Sequence, residues 1–416
     1  MIDFTTLQGL TIPEGVVTQI TDESGRVIWA VQSDSFDGTL KVEKQVLTTY
    51  ASETSYPSEE FILLNIYPKT NGTVSVTYGG LTKTITDTSG AAEPNAQQVF
   101  FGTFNGVSDE VETPASGILT IEGAYSAVGV GTYSSSSKGT TSYCSCITAV
   151  GDMSGITFVP EHAFTACSKI EKITIPDNVN AIGGYAFFNC HSLSKINIPL
   201  NVTTIKERTF FSCGLTDIVI PNGVTTIENG AFALSLANVP SLVIPASVTS
   251  IGLDNPFYSN TPTNMLRVAS GNTKYQIINN CLVDTTISRL IAGFSDGTIA
   301  DGIKTIGKDA FVYFGLKYID IPNSVTEIGM GAFQYAGIET LVIPASVTKI
   351  GGDAFNSCSD LTSVTVLAET PPSIYMSNIF VSCTSLTTIT VPKGCGEKYK
   401  AATYWKEYAD YIVEAS

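Results

Sequence analysis

Residues 319–355 read IDIPNSVTEIGMGAFQYAGIETLVIPASVTKIGGDAF and contain one pattern twice. An apolar strand ends in proline, and a valine, an isoleucine-glycine pair and an alanine-phenylalanine pair follow at fixed spacing. Pro322 recurs as Pro344, and Phe333 recurs as Phe355, in both cases after 22 residues. A repeat of this length predicts a solenoid, in which similar coils stack and each coil contacts only its neighbours.

The same pattern recurs over about residues 146–392. The apolar strands that end in proline are Ile173 to Pro176, Ile196 to Pro199, Ile218 to Pro221, Leu242 to Pro245, Ile319 to Pro322, Leu341 to Pro344 and Ile389 to Pro392. The phenylalanine column is Phe164, Phe187, Phe210, Phe232, Phe257, Phe311, Phe333, Phe355 and Phe380. Because the step from Phe257 to Phe311 spans 54 residues, we predict one enlarged repeat of short strands at 258–300.

The spacing also predicts which side chains fill the core. Alternate strand residues such as Ile173 and Ile175 point to one face, and the phenylalanines turn inward and stack on their copies. Cysteines lie three residues after column phenylalanines, at Cys167, Cys190, Cys213, Cys358 and Cys383. This shared register favours a buried cysteine ladder over a metal or redox site.

Charge and hydropathy exclude several classes of partner. The 416 residues include 22 basic and 38 acidic residues, for a net charge of −16. A basic footprint is needed to bind nucleic acid or an anionic membrane, so neither is expected as a partner. No apolar run approaches the ~20 residues that span a bilayer, so no membrane insertion is expected. Residues 1–20 have neither a basic start nor an apolar core, which predicts synthesis in the cytoplasm without a cleaved export signal.

The remaining chain divides into four predicted units. Residues 1–32 contain too little apolar material for a core of their own and are expected to lie against something else; the resemblance given below implies that they are an attachment segment. Residues 33–124 alternate with a period of two and carry hairpin signals at Asn71-Gly72, Gly79-Gly80 and Asn105-Gly106, which predicts a small antiparallel immunoglobulin-like β-sandwich as a spacer. Residues 125–145 are rich in glycine and serine and are interpreted as a linker or loop. Residues 393–416, with Tyr399, Trp405 and Ile412 near helical spacing, are predicted to form a helical cap on the solenoid.

Two resemblances add to this interpretation. The repeat pattern, an Asn-x-x-Tyr sequence in the enlarged repeat and the C-terminal Tyr399 and Trp405 together resemble the BspA-type leucine-rich repeat family over about residues 146–416. That resemblance implies a mainly β leucine-rich-repeat solenoid and a role in adhesion, since known members are mostly cell-surface adhesins and host-interaction proteins. The stretch TIPEGVVTQITDESGRVIWAV resembles the N-terminal leader of tail-associated structural proteins of bacteriophages and prophages.

Motifs for catalysis or metal binding fail on their context. Gly293 to Gly297 matches the nucleophile elbow Gly-x-Ser-x-Gly, but both histidines, His162 and His191, precede its serine and no helix pattern follows. Cys144 and Cys146 with His162 and Cys167 match no standard zinc spacing. We therefore expect no enzyme activity, no cofactor and no metal.

The outward strand positions remain as a candidate binding surface on the concave side of the solenoid. These positions are Lys172, Thr174, Lys195, Asn197, Asp217, Val219, Val243, Tyr318, Asp320 and Val342. A ligand-free alternative is that exposed valines serve β-strand propensity alone. The favoured hypothesis is a receptor-binding protein of a phage or prophage tail, located in the virion, which joins particle proteins through residues 1–32 and contacts a host-surface protein or glycan. The alternative is a bacterial cell-surface adhesin, and homo-oligomerisation stays open.

Overall fold

The structure is a computed structural model. It describes residues 155–416 apart from 259–265, 295, 316 and 377. It also describes residues 19–21, 27–30, 39–43, 45–47, 59–87, 96–104, 107–109, 114, 116–123, 125–130, 132–135, 140–143, 147–151 and 153.

An antiparallel hairpin lies at the start of the described chain. Strands β1 (Gln19–Thr21) and β2 (Val27–Ala30) pair with each other, and their register shifts after Ile20. Most of the predicted attachment segment 1–32 lies outside the described residues, so its role stays a prediction.

A two-sheet sandwich precedes the solenoid. Its region contains β3 (Thr39–Glu43), β4 (Gln45–Leu47), β5 (Glu59–Pro68), β6 (Thr73–Tyr78), β7 (Leu81–Thr86), β8 (Gln97–Phe104), β9 (Val107–Ser108), β10 (Ser116–Gly123), β11 (Tyr125–Val130), β12 (Thr132–Ser135), β13 (Thr140–Tyr143) and β14 (Ile147–Val150). One sheet has the order β14-β3-β10-β6-β7, and the other has the order β11-β5-β8-β9 with β4 beside β5. Every pairing within these sheets is antiparallel, which confirms the predicted small β-sandwich.

Alternation along the strands explains the sandwich core. Val74, Val76 and Tyr78 of β6 are buried, and the residues between them are more exposed. The ring of Tyr78 meets Phe101 of the other sheet edge-on, with centroids 5.7 Å apart. This arrangement is what a period of two produces when one face of each sheet is covered.

The hairpin predictions had mixed outcomes. Gly79 and Gly80 join β6 to β7 with φ of 58° and 82°, as a type I′ turn requires. The prediction for Asn71-Gly72 was wrong, because the strands on either side, β5 and β6, belong to different sheets. The pairing of β8 with β9 fits a turn at Asn105-Gly106, but those two residues lie outside the described part of the chain.

The predicted linker 125–145 instead contains strands. Strand β11 is largely buried and pairs with β5, and β12 pairs with β13. The glycine content suggested a linker, but Gly129 lies in a strand and allows the backbone of the first coil to approach closely. A Cβ built there would lie 2.8 Å from the Cα of Ala163 in the first coil. Strand β11 thus contacts both the sandwich and the solenoid.

Each solenoid coil contributes to one of two strand ladders or to both. The remaining strands are β15 (Lys172–Ile173), β16 (Lys195–Ile196), β17 (Thr204–Ile205), β18 (Thr226–Ile227), β19 (Leu242–Ile244), β20 (Ser250–Ile251), β21 (Leu266–Val268), β22 (Tyr275–Ile278), β23 (Cys281–Asp284), β24 (Arg289–Gly293), β25 (Thr305–Ile306), β26 (Glu327–Ile328), β27 (Thr340–Ile343), β28 (Lys349–Ile350), β29 (Ser363–Val366), β30 (Ser373–Ile374), β31 (Thr388–Val391) and β32 (Ile412–Glu414).

The first ladder contains five of the seven apolar strands that the repeat pattern predicts, whereas Ile218 to Pro221 and Ile319 to Pro322 form no strand. Its sheets are β15-β16, β19-β21 and β27-β29-β31-β32, and all their pairings are parallel. The second ladder, β17-β18-β20 and β25-β26-β28-β30, is also parallel and was missed from sequence. Its strands are only two residues long, so they carry almost no alternation for a periodicity argument to detect.

The phenylalanine column forms the spine of the core, as predicted. Neighbouring rings are parallel, with centroids 5.4 Å apart for Phe164 and Phe187 and 5.3 Å apart for Phe333 and Phe355. Cys167, Cys190, Cys213 and Cys358 form the predicted buried ladder beside it, whereas Cys383 is partly exposed. The thiols of Cys190, Cys213, Cys358 and Cys383 donate to phenylalanine carbonyl oxygens of the preceding coil, for example from Cys358 to Phe333 at 3.1 Å.

The enlarged repeat does not interrupt the stack. Strands β22, β23 and β24 pair antiparallel, and β24 then pairs parallel with β25 of the next coil. Asp254 forms a parallel bridge to Lys308, and the amide of Asn255 donates to the carbonyl oxygen of Asp309 at 3.1 Å. The coils before and after the enlarged repeat therefore touch directly.

The C-terminal cap is less helical than predicted. Helix α1 (Gly396–Ala401) and a 3₁₀ helix (Trp405–Tyr411) are followed by β32, which extends the first ladder. Tyr404, with φ of 65°, prevents one continuous helix. Buried Trp405 donates to the carbonyl oxygen of Pro372 at 2.8 Å, which holds the cap on the last coils.

Candidate binding surface

The ten predicted site residues lie at outward positions of the first-ladder strands or of the equivalent segments 217–219 and 318–320, and this surface is here called the strand face. All ten side chains are exposed: Lys172, Thr174, Lys195, Asn197, Asp217, Val219, Val243, Tyr318, Asp320 and Val342. Strand alternation produces this arrangement, since the flanking Ile173 and Ile175 are buried. The structure thus places the predicted residues on the surface, and their role in binding stays a prediction.

Large apolar side chains interrupt this otherwise polar surface. Val219 and Val243 are each 46% exposed, Val342 is 51% exposed, and Tyr318 is 66% exposed. Val219 and Val243 occupy equivalent positions in successive coils. A solvated β-surface gains little from a row of such residues, whereas a binding surface gains apolar contact area.

Charges are distributed unevenly along the strand face. Lys172 and Lys195 are direct partners in the parallel ladder, and Lys195 forms a bridge with Asp217 in the next coil. Like charges opposite each other destabilise a sheet, so the pairing of Lys172 with Lys195 is unfavourable on its own. An acidic group of a ligand placed between the two ammonium groups would relieve this repulsion.

Tyr318 is oriented by its neighbours. Its hydroxyl donates to Glu339 at 3.0 Å, and Lys317 forms an ion pair with the same carboxylate at 3.1 Å. Hydrogen bonds from Lys317 and Tyr318 lower the pKa of Glu339. The hydrogen bond to Glu339 raises the pKa of Tyr318.

Asn197 serves the fold as well as the surface. Its side-chain oxygen accepts from the backbone N–H of Ile175, and its side-chain N–H donates to the carbonyl oxygen of Ile175, both at 2.7 Å. The amide therefore acts as a side-chain link between two coils. This role weakens Asn197 as a candidate for ligand recognition alone.

Sequence reasoning missed Arg267 as a member of the strand face. Arg267 pairs with Val243 in the parallel ladder, and its side chain is exposed. It lies within the enlarged repeat, where the strand is not followed by the proline of the repeat pattern. The alternation Leu-Arg-Val was the available signal.

The described residues give no support to the metal-binding and catalytic motifs considered from the sequence. Among them, no group of three or more His, Cys, Asp or Glu side chains is placed to hold a metal ion. Cys144, Cys146 and Ser295 lie outside the described residues. Burial, opposed by Glu161, lowers the pKa of His162, whose ring stacks on Tyr185 with centroids 4.9 Å apart.

Two buried cysteines, Cys190 of the ladder and Cys281 of the enlarged repeat, are chemically unreactive. Burial raises the pKa of Cys190 to about 12, and burial also raises the pKa of Cys281 to about 12. A thiol reacts as its thiolate, so these side chains behave as small apolar residues.

Within the described part of the chain, no helix is long and apolar enough to cross a membrane.

Comparison with family models gives one match. The model of the BspA type leucine rich repeat region matches residues 142–287 and 292–405, in six copies. This is more than half of the chain. The match does not reach residues 1–32, so it gives no support to the resemblance of that segment to phage structural proteins. A search of curated proteins finds no significant match.

Solved structures of low identity also resemble the chain. A leucine-rich repeat protein from Eubacterium ventriosum is 23% identical, with a TM-score of 0.46, over 67% of this chain and 77% of that chain. A leucine-rich repeat protein from Bacteroides ovatus is 22% identical, with a TM-score of 0.37, over 64% and 73%. A leucine rich cell surface protein from Faecalibacterium prausnitzii is 21% identical, with a TM-score of 0.42, over 63% and 81%.

Proposed function

Since this chain belongs to the BspA-type leucine-rich repeat family, we propose that it is a non-enzymatic adhesion protein whose strand face binds a host-surface protein or glycan. The observation that carries the proposal is the set of exposed apolar side chains on the strand face. Val219, Val243, Tyr318 and Val342 leave between 46% and 66% of their surface in water. Their contact with a ligand would remove that apolar surface from water, which is favourable.

The polar residues of the strand face supply specificity. Lys172 and Lys195 offer donors for a carboxylate or for sugar hydroxyls, and Asp217 and Asp320 offer acceptors. The net charge of −16 disfavours polyanions such as nucleic acid, and this mixed surface suits a protein or a glycan better.

Two locations fit this proposal. Known members of the family are mostly cell-surface adhesins, which favours a bacterial cell surface. The resemblance of residues 1–32 to phage tail-associated proteins favours a receptor-binding protein on a phage or prophage particle. Fractionation of the native host separates them, since the chain would be recovered either with cell envelopes or with purified particles.

Binding is tested with the full chain against immobilised glycans and extracellular-matrix proteins. The test variant combines Val219→Asp with Val243→Asp, which places two carboxylates in the apolar part of the strand face. The matched control combines Leu253→Asp with Ile287→Asp, which changes side chains that are 65% and 58% exposed away from that surface. We expect the test variant to lose binding by at least about tenfold at a temperature at which it remains folded, and the control to keep its binding.

The opposite pattern would contradict the proposal. If the control loses binding and the test variant keeps it, the ligand contacts the region of the enlarged repeat instead. Turnover of any glycan by the purified chain would contradict the non-enzymatic assignment.

A further inference from the structure

An unusually close amine–carboxylate pair lies in the sandwich. Lys83 is in β7, and Asp109 directly follows β9 in the other sheet. The Nζ atom of Lys83 lies 2.5 Å from Oδ1 of Asp109. Only 6% of the Asp109 side chain and 26% of the Lys83 side chain are exposed. The contact therefore joins the two sheets in a place that water reaches poorly.

Both partners are held in position by further contacts. Nζ of Lys83 also donates to the carbonyl oxygen of Phe100 at 2.5 Å and lies 4.0 Å from the centre of the Phe100 ring. The ring of Phe101 is 5.1 Å away. Oδ2 of Asp109 accepts from the backbone N–H of Gly102 at 2.8 Å, and the backbone N–H of Asp109 donates to the carbonyl oxygen of Gly102 at 3.1 Å.

We propose that Lys83 and Asp109 condense to an amide, which makes a covalent cross-link between the two sheets. A proton first passes from the ammonium group to the carboxylate within the pair, which leaves both groups neutral. The amine lone pair then attacks Cγ of Asp109, a C–N bond forms, a C–O bond breaks, and one water molecule leaves. The step involves no oxidation or reduction and no other reactant.

The surroundings favour this reaction over a persistent ion pair. Groups held in contact react as if at very high concentration, with effective molarities of ~10⁵ M or more in well-oriented cases. The N–H of Gly102 is aimed at a carboxyl oxygen and stabilises the negative charge that develops there during attack. The rings of Phe100 and Phe101 limit the access of water, which would reverse the reaction. Amide formation also removes two poorly hydrated charges.

The cross-link goes beyond the proposed binding function, because it concerns the sandwich and not the strand face. It would close a loop over residues 83–109 and tie the edge strand β7 to the opposite sheet. Chain constraints of this kind stabilise a fold chiefly by restricting the unfolded state.

Intact mass spectrometry of the purified full chain tests the proposal. We expect a mass lower than that of the sequence by one water molecule, for a chain of known N-terminus. Proteolysis should then yield a branched peptide that contains Lys83 and Asp109 and survives reduction. A chain of full sequence mass, even after prolonged incubation of the folded protein, would overturn the proposal.

A charge-conserving variant assigns the site. Lys83→Arg keeps an ion pair with Asp109 but has no amine that can form this amide, so its mass should equal the full sequence mass. Lys69→Arg changes an exposed lysine that directly follows β5 and should lose water as the wild type does. Loss of water by Lys83→Arg would overturn the assignment. The wild-type measurement stands even if this variant folds poorly.

Discussion

The thiol of Cys190 donates to the carbonyl oxygen of Phe164 in the preceding coil, at 3.0 Å. Cys213 makes the same bond to Phe187 at 3.1 Å, and the hydroxyl of Ser235 occupies the equivalent place against Phe210. A serine therefore already substitutes for cysteine in one coil. The feature that these coils share is a donor beside the phenylalanine carbonyl rather than the sulfur atom.

This relationship predicts that Cys190→Ser is tolerated better than Cys190→Val. Valine has no donor, so the Phe164 carbonyl oxygen keeps only its bond from the backbone N–H of Cys167 at 3.1 Å, and loss of the thiol bond should cost about 1 kcal/mol. Urea unfolding of both variants measures the difference. Equal stability of the two variants would show that the hydrogen bond contributes nothing.

Burial of the same thiol predicts slow alkylation. With its pKa raised to about 12, Cys190 is almost entirely protonated at pH 8. We expect peptide mapping to find Cys190 unmodified by iodoacetamide in the folded chain and modified in urea. Rapid labelling of the folded chain would place this thiol at the surface, against the structure.

Truncation of the phenylalanine column should be severe. Phe333 is fully buried between Phe311 and Phe355, with ring centroids 5.2 and 5.3 Å away. Phe333→Ala removes both contacts and leaves a cavity, which should cost about 3–5 kcal/mol. Tyr375→Ala is the control, because that side chain is 75% exposed and its loss should change stability by less than about 0.5 kcal/mol.

Asn197→Ala should destabilise the solenoid, although the residue is exposed. The change removes two hydrogen bonds to Ile175, at a cost of about 1–3 kcal/mol. Thr174→Ala, on the neighbouring strand, should change stability by less than about 0.5 kcal/mol. Thermal unfolding of the two variants compares them, and similar midpoints would mean that the Asn197 link is dispensable.

Asp309 should make stability depend on pH. Burial raises its pKa from 3.8 to about 6, with Lys308 and Arg208 opposing the rise and Asp254 and Asp353 adding to it. The folded state then binds the proton more tightly than the unfolded state. This contribution is favourable below about pH 4 and is lost as the pH rises through about 6.

Asp309→Asn tests this dependence, since asparagine tolerates the φ of 55° at this position. A shift of about two units corresponds to about 3 kcal/mol at most, and partial exposure reduces it to about 2 kcal/mol. The variant should be more stable than the wild type at pH 7 by about that amount and closer to it at pH 4. An unchanged pH profile in urea titrations would contradict the prediction.

Sequence alone predicted the features that repeat. Phe164 and Cys190 could be placed in the core because many coils share their register, and the strand face followed from the same alternation. Features that occur once were missed. Asn71-Gly72 is a typical hairpin signal, but the flanking strands pair elsewhere, and local turn chemistry carries no information about that choice.

Single contacts between distant residues were equally inaccessible to the sequence. Lys83 and Asp109 are 26 residues apart and meet only because two sheets pack face to face. The same holds for Arg267, which joins the strand face through a coil that has lost the repeat pattern. The repeat pattern of the sequence therefore predicts the solenoid, whereas contacts between single distant residues depend on how the sheets and coils pack.

Strand β11 connects the sandwich to the first coil through two backbone hydrogen bonds, from Val130 to Ala163 at 2.7 Å and from Thr157 to Ser126 at 2.8 Å. The rings of Tyr67 and Phe158 meet beside this junction, with centroids 5.6 Å apart. A tensile load on a ligand-bound solenoid would therefore reach the sandwich through these direct hydrogen bonds and ring contacts. If the strand face binds a ligand as proposed, these contacts would hold that ligand in a fixed orientation relative to the sandwich.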